Sequence, residues 1–140
     1  MHQAMVLLGL RSAPDSIPLL DGVDTDFVGR FDAFFDNPIP FRYQDLHNAY
    51  PDSRYIVTHR ELDDWLTSME WLFGEGIARL DPAMRTMAHR VHRQFYGIDR
   101  FDADRLTSIH RRHYAQVADW LDDKPYVWLE VSDGFAWEPI

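Results

Sequence analysis

The stretch Ser53-Arg-Tyr-Ile-Val-Thr-His-Arg60-Glu-Leu-Asp-Asp-Trp65-Leu-Thr-Ser68 reads as a buried strand that ends on an arginine and turns directly into an amphipathic helix. Tyr55, Ile56 and Val57 form a short aromatic and β-branched run, and Leu62, Trp65, Leu66, Met69, Leu72 and Phe73 then recur at helical spacing. Asp63 or Asp64 is expected to cap that helix. Arg60 falls at the carboxyl edge of a sheet, the side on which open α/β sheets bind ligands. A guanidinium in that position can grip a phosphate through paired hydrogen bonds. The competing use of such an arginine is a surface salt bridge.

Outward from this block the chain alternates helix and strand, without repeats or low-complexity runs. The pattern predicts a helix over 1–10, a loop over 11–25 and a strand over 31–36 that Pro38 and Pro40 terminate. A short helix over 41–50 stops at Pro51; after the strand 54–59 and helix 62–73 come helices over 81–96 and 102–121 and a last strand over 126–131. Met84, Met87, Ala88, Val91 and Phe95 mark the expected buried face of the first long helix. Short strands alternating with helices imply a parallel sheet with right-handed crossovers, which is an α/β three-layer domain.

Composition narrows the function classes. The 140 residues, 46% of them hydrophobic, suffice for one small domain over 1–140, although a chain of this size buries only about two-thirds of its unfolded surface. No apolar run is long enough for a membrane span and no basic leader precedes an apolar stretch, so a cytoplasmic protein is expected. The absence of cysteine removes disulfide scaffolds, thiolate zinc sites and cysteine nucleophiles. A net charge of −9 argues against nucleic acid, which requires a continuous basic stripe. The arginines nevertheless gather in the middle of the chain, from Arg79 to Arg112, so a local positive cleft is compatible with the acidic total. His89 with His92, and His110 with His113, sit three apart on predicted helices. Their arginine neighbours disfavour a cation, and His113 falls on the Leu106, Val117, Leu121 stripe. A buried hydrogen-bonded histidine is therefore expected there, and no metal.

The block around Arg60 resembles sulfotransferases that use 3′-phosphoadenosine 5′-phosphosulfate (PAPS). Its features are the eight-residue step from Arg60 to Ser68, the lead-in Tyr50-Pro51-Asp52-Ser53-Arg54, and the later segment Tyr126-Val-Trp-Leu-Glu-Val-Ser-Asp133-Gly134-Phe-Ala-Trp137-Glu138. These match the family's "YP-x-S-K/R" entry and its "LL-x-L-D-x-x-x-G-x-x-W-E" strand and loop. One departure is Glu61-Leu62, where the family commonly has Asp-Pro or Asn-Pro. Residues 1–10 are similar to the family helix S-L-x-x-A-L-x-x-L-G, with Ala4, Leu8 and Gly9 in step. The strand and K/R-x-G-T-T-S/T loop that precede this helix in the family do not occur among these residues, and the only lysine is Lys124.

The resemblance implies a P-loop NTPase-like sulfotransferase fold, N-terminally truncated, that transfers a sulfuryl group from PAPS to a hydroxyl or amine of a small-molecule, carbohydrate or lipid acceptor without a metal. It implies that Arg60 and Ser68 hold the 3′-phosphate and that Ser132, Asp133 and Gly134 border the cofactor or acceptor. Asp36, in Asp36-Asn37-Pro38, corresponds to the histidine base that cytosolic members carry in a His-x-Pro turn. An aspartate before Asn-Pro is also a common turn former, and that reading stays open. Without the loop cation the chain is expected to be a weak catalyst. The alternative is an inactive remnant acting as a nucleotide-binding or protein-interaction module, and sheet edges left open by a missing strand would favour self-association.

Overall fold

The computed structural model describes residues 2–131, which fall into two compact units, the first ending at Ser53 and the second beginning at Arg54. The first unit contains helix α1 (His2–Leu7), a 3-10 turn at Ile17–Leu19, the short helix α2 (Thr25–Val28) and helix α3 (Ile39–Ala49). Asp24 caps α2 by accepting the Phe27 amide at 2.9 Å. Its core is Ala13, Leu19, Phe27 and Val28, with Phe31, Phe34, Ile39 and Leu46 packed against them.

The strand expected over 31–36 is absent, and the backbone there makes a single parallel bridge, Ser12 to Ala33. The reason lies in side-chain spacing. Phe31 and Phe34 stand three apart and both turn onto Phe27, with ring centroids at 5.2 and 6.1 Å, so the segment does not present the alternate-residue face of a strand. An ion pair holds the crossing beside it: Arg11 forks onto Asp32 through Nε and Nη2 at 2.9 and 2.7 Å, and its amide adds a third bond at 2.9 Å. Pro40 does not end an element. It lies in the first turn of α3, where a missing N–H leaves no helical bond unmade.

The second unit opens with strand β1 (Tyr55–His59), followed by helix α4 (Leu62–Trp71), a π-helical turn (Leu72–Gly76), helices α5 (Pro82–Tyr96) and α6 (Ala103–Leu121), and strand β2 (Tyr126–Glu130). The two strands pair in parallel, with Tyr55 opposite Tyr126 and His59 opposite Glu130, so the expected mixed α/β class and parallel pairing hold on a two-stranded sheet. Asp81 and Asp102 cap α5 and α6, and Gly97 closes α5 at φ +71, a left-handed position that costs a residue with a Cβ. Glu61 occupies the N-cap of α4 without a side-chain cap bond. The predicted cappers Asp63 and Asp64 lie instead in its first turn, where carboxylates favour the helix dipole.

The core here joins Met69, Ile77, Val91, Leu106, Ile109, Val117, Leu121 and Leu129. On α5 the buried stripe runs through Val91, His92 and Tyr96; of the face expected to be buried, Val91 is buried, Met87, Ala88 and Phe95 are half-buried, and Met84, in the first turn of the helix, is 52% exposed. On α6 His110 is buried, and the His113 expected there is half-buried, its pKa lowered by that burial and then by His110. Among the described residues no helix is long and apolar enough to cross a membrane.

Candidate functional site

Strand β1 delivers Arg60 to the carboxyl edge of the sheet, and the immediate start of α4 brings Ser68 round to meet it. The guanidinium Nη1 donates to Ser68 Oγ at 2.6 Å, and Ser68 Oγ in turn donates to the Asp64 carbonyl at 3.1 Å. Two of the residues singled out in the sequence are therefore in direct contact. Among the described residues no carboxylate forms the surface salt bridge weighed against this pairing. A guanidinium carries five N–H donors in a planar fork, and Ser68 uses one.

Helix α6 holds the backbone beneath this pair. Tyr114 Oη donates to the Thr58 carbonyl at 2.9 Å and His110 Nε2 lies 3.0 Å from the Arg60 carbonyl. A carbonyl only accepts, so His110 Nε2 carries the hydrogen. The two rings meet edge to face at 4.7 Å, and Trp65 of α4 covers His110 at 5.0 Å. Burial pushes the Tyr114 phenol above its ordinary value; a backbone hydrogen bond from Arg60 works against this and the Glu130 carboxylate adds to it. The phenol stays protonated and keeps its donor role.

Beside Arg60 the cross-strand pair His59 and Glu130 is joined by an Nδ1 to Oε2 contact of 2.5 Å, while Trp128 Nε1 donates to the other carboxylate oxygen at 2.7 Å. These two bonds, His59's first, hold the Glu130 carboxyl below its usual range. Glu130, Trp128, His110 and Tyr114 were not recognised as neighbours of Arg60 from sequence, since strand register and helix docking join positions up to 71 apart. The alternation of β2 does carry a signal. Trp128 and Glu130 share one face, and the parallel register turns that face to His59.

Asp36 lies in the first unit, exposed, at φ +60, with its carbonyl accepting the Ile39 amide at 2.8 Å. Aspartate is among the few residues that tolerate this left-handed conformation, so the turn-forming role is present. Among the described residues its carboxylate has no hydrogen-bond partner. Ser132, Asp133 and Gly134 lie outside the described residues. Lys124 is engaged locally, its ammonium 2.8 Å from the Trp120 carbonyl, 2.5 Å from Asp123 and 4.4 Å from the Trp120 ring centroid.

Comparison with known proteins bears on the same segments. A protein of Aspergillus versicolor, "Ava biosynthesis cluster protein M", is 29% identical over 97 residues, covering 68% of this chain and 37% of its own length. The chain thus spans little more than a third of that relative. The family profile described as "Sulfotransferase domain" matches residues 23–140, which takes in part of the first unit and all of the second, with the Arg60 and Ser68 pair and the β2 segment. The chain belongs to the sulfotransferase domain family.

Proposed function

We propose that this chain forms one sulfotransferase domain over 1–140, of the three-layer P-loop-like type with right-handed crossovers, which binds PAPS and passes its sulfuryl group to a hydroxyl or amine of a small-molecule, carbohydrate or lipid acceptor. The observation that carries the reading is the 2.6 Å contact between Arg60 and Ser68 at the sheet edge. A serine hydroxyl that already accepts from a guanidinium marks a place where a phosphate oxygen can accept from both. In this proposal the pair holds the 3′-phosphate, and Ser132, Asp133 and Gly134 border the cofactor or acceptor.

The acceptor oxygen or nitrogen attacks sulfur in line, the bond from sulfur to the 5′-phosphate oxygen breaks, adenosine 3′,5′-bisphosphate leaves, and the acceptor's proton passes to a base. Asp36 is the proposed base, by its place in Asp36-Asn37-Pro38 and its exposed carboxylate, which has no hydrogen-bond partner among the described residues. No metal is required by this scheme. A cytoplasmic location agrees with the absence of cysteine, and the acidic net charge speaks against nucleic acid.

The second reading is a nucleotide-binding or protein-interaction module without turnover. It is favoured by Lys124, the only lysine, whose bonds to Trp120 and Asp123 leave it no part in stabilising a leaving phosphate. Exposed Ile56, Tyr126 and Val127 on the two strands supply apolar surface for self-association.

The test is transfer of labelled sulfate from PAPS to a panel of phenols, sugars and lipids. Turnover that falls about 10²- to 10⁴-fold in Asp36→Asn, with nucleotide affinity unchanged, supports the catalytic reading. Nucleotide binding with no transfer to any acceptor supports the module, and full activity in Asp36→Asn removes Asp36 as the base.

A further inference from the structure

His59, Glu61 and Glu130 bring one imidazole nitrogen and two carboxylate oxygens within 4.8 Å of one another at the carboxyl edge of the sheet. We propose that these three residues form a binding site for a divalent transition ion of the zinc type. The inference does not depend on the sulfuryl-transfer reading.

Three features distinguish the group from a chance gathering of surface acids. The His59 imidazole is only 19% exposed and is fixed on its faces by Tyr114 and Trp128, with centroids at 4.6 and 5.6 Å. Glu130 presents one oxygen to His59 while the Trp128 indole N–H holds the other at 2.7 Å. An outer partner of this kind fixes a ligating carboxylate and raises the affinity of the site. Glu61 has no ion-pair partner among the described residues, and its neighbour Arg60 is directed to Ser68. Two carboxylates and one imidazole are thus gathered within 4.8 Å, a donor set whose charge a dication neutralises.

Ligands about 2.0 to 2.2 Å from a common ion stand roughly 3 to 3.5 Å apart, so closure draws in the atoms that now lie up to 4.8 Å apart and parts the 2.5 Å contact between His59 and Glu130, the ion taking the place of the shared hydrogen. One imidazole with two carboxylates is a borderline donor set that suits zinc or manganese, and three protein ligands leave positions open for water. Spacing along the chain hides the site, because Glu130 lies 71 positions from His59. The paired histidines on α5 and α6, which spacing does suggest, are not part of it.

The experiment titrates the full 140-residue chain with Co²⁺, read by visible d–d absorption, and then with Zn²⁺ by calorimetry and by displacement of cobalt. One equivalent is expected to bind. His59→Gln and Glu61→Gln should each weaken it at least about 10-fold, and Trp128→Phe, which keeps an aromatic ring at the position but removes the N–H, about 10-fold. His89→Gln, on α5, should leave the affinity unchanged. Glu61 is exposed and glutamine is isosteric, so that variant stays folded and decides the matter even if His59→Gln does not. No saturable binding to the folded wild-type chain overturns the proposal, as does wild-type affinity in Glu61→Gln or a loss confined to His89→Gln.

Discussion

Replacing Arg60 separates its role in anion binding from any role in folding. The side chain is exposed and its one side-chain bond among the described residues goes to Ser68, so Arg60→Ala should alter stability by no more than about 0.5 kcal/mol. Ser68→Ala removes the bond back to the Asp64 carbonyl and places a better helix former inside α4, so it too should fold normally. Against a bound 3′-phosphate the losses are larger. A charge-assisted hydrogen bond contributes about 1.5 to 3 kcal/mol, which makes Arg60→Ala roughly 10- to 150-fold weaker, with Ser68→Ala at the lower end of that range. Arg60→Lys keeps the charge but loses the planar fork, and should recover only part of the loss. The assay is calorimetry with adenosine 3′,5′-bisphosphate and adenosine 5′-monophosphate. The loss should fall on the first ligand and spare the second. An equal loss for both, or none for either, would refute the reasoning.

The remaining expectations concern the frame around the site. Tyr114→Phe keeps the ring contacts but removes the donor to the Thr58 carbonyl, and should cost about 1 kcal/mol, read as a lower urea midpoint. His92 is buried, stacked on Phe73 at 4.0 Å, and its Nδ1 has no partner among the described residues. Burial, then the neighbouring His89, lowers its pKa against a smaller opposing pull from Asp99. The unfolded chain therefore takes up the proton first, so stability is whole above about pH 6.5 and falls as the pH drops through the folded value. Melting temperature should decline from pH 7.5 to 5.5, and His92→Phe should flatten that decline. Asp32, held by the Arg11 side chain and amide, should titrate at about 2 by NMR and return toward 3.8 in Arg11→Ala.

The parts of this molecule that were legible in its sequence are those set by local chemistry. The strand end, the tight turn and the two turns of helix from Arg60 to Ser68 are local, and the resemblance to sulfotransferases already pairs the two residues; their direct contact is what the structure adds. The helices expected over 81–96 and 102–121 agree with α5 and α6, whose ends are set within a few residues by the Asp81 and Asp102 caps and the Gly97 stop, whereas the short helix α2 behind Asp24 was not foreseen. Tertiary packing decided the rest. Phe31 and Phe34 look like strand residues until Phe27 supplies a cluster for them, and His110 is buried more fully than His113 because α6 turns that face toward β1. The cluster of His59, Tyr114, Trp128 and Glu130 at the end of β1 depends on parallel register, which no local pattern encodes.

The central claim is that Arg60 and Ser68 grip the 3′-phosphate of the nucleotide, and a crystal structure of the chain with adenosine 3′,5′-bisphosphate tests it most directly. The account predicts a 3′-phosphate oxygen within about 2.7 to 3.2 Å of both the Arg60 guanidinium and Ser68 Oγ, with the serine turned away from the Asp64 carbonyl. A nucleotide seated with its 3′-phosphate on other residues, while Arg60 keeps its bond to Ser68, would contradict it.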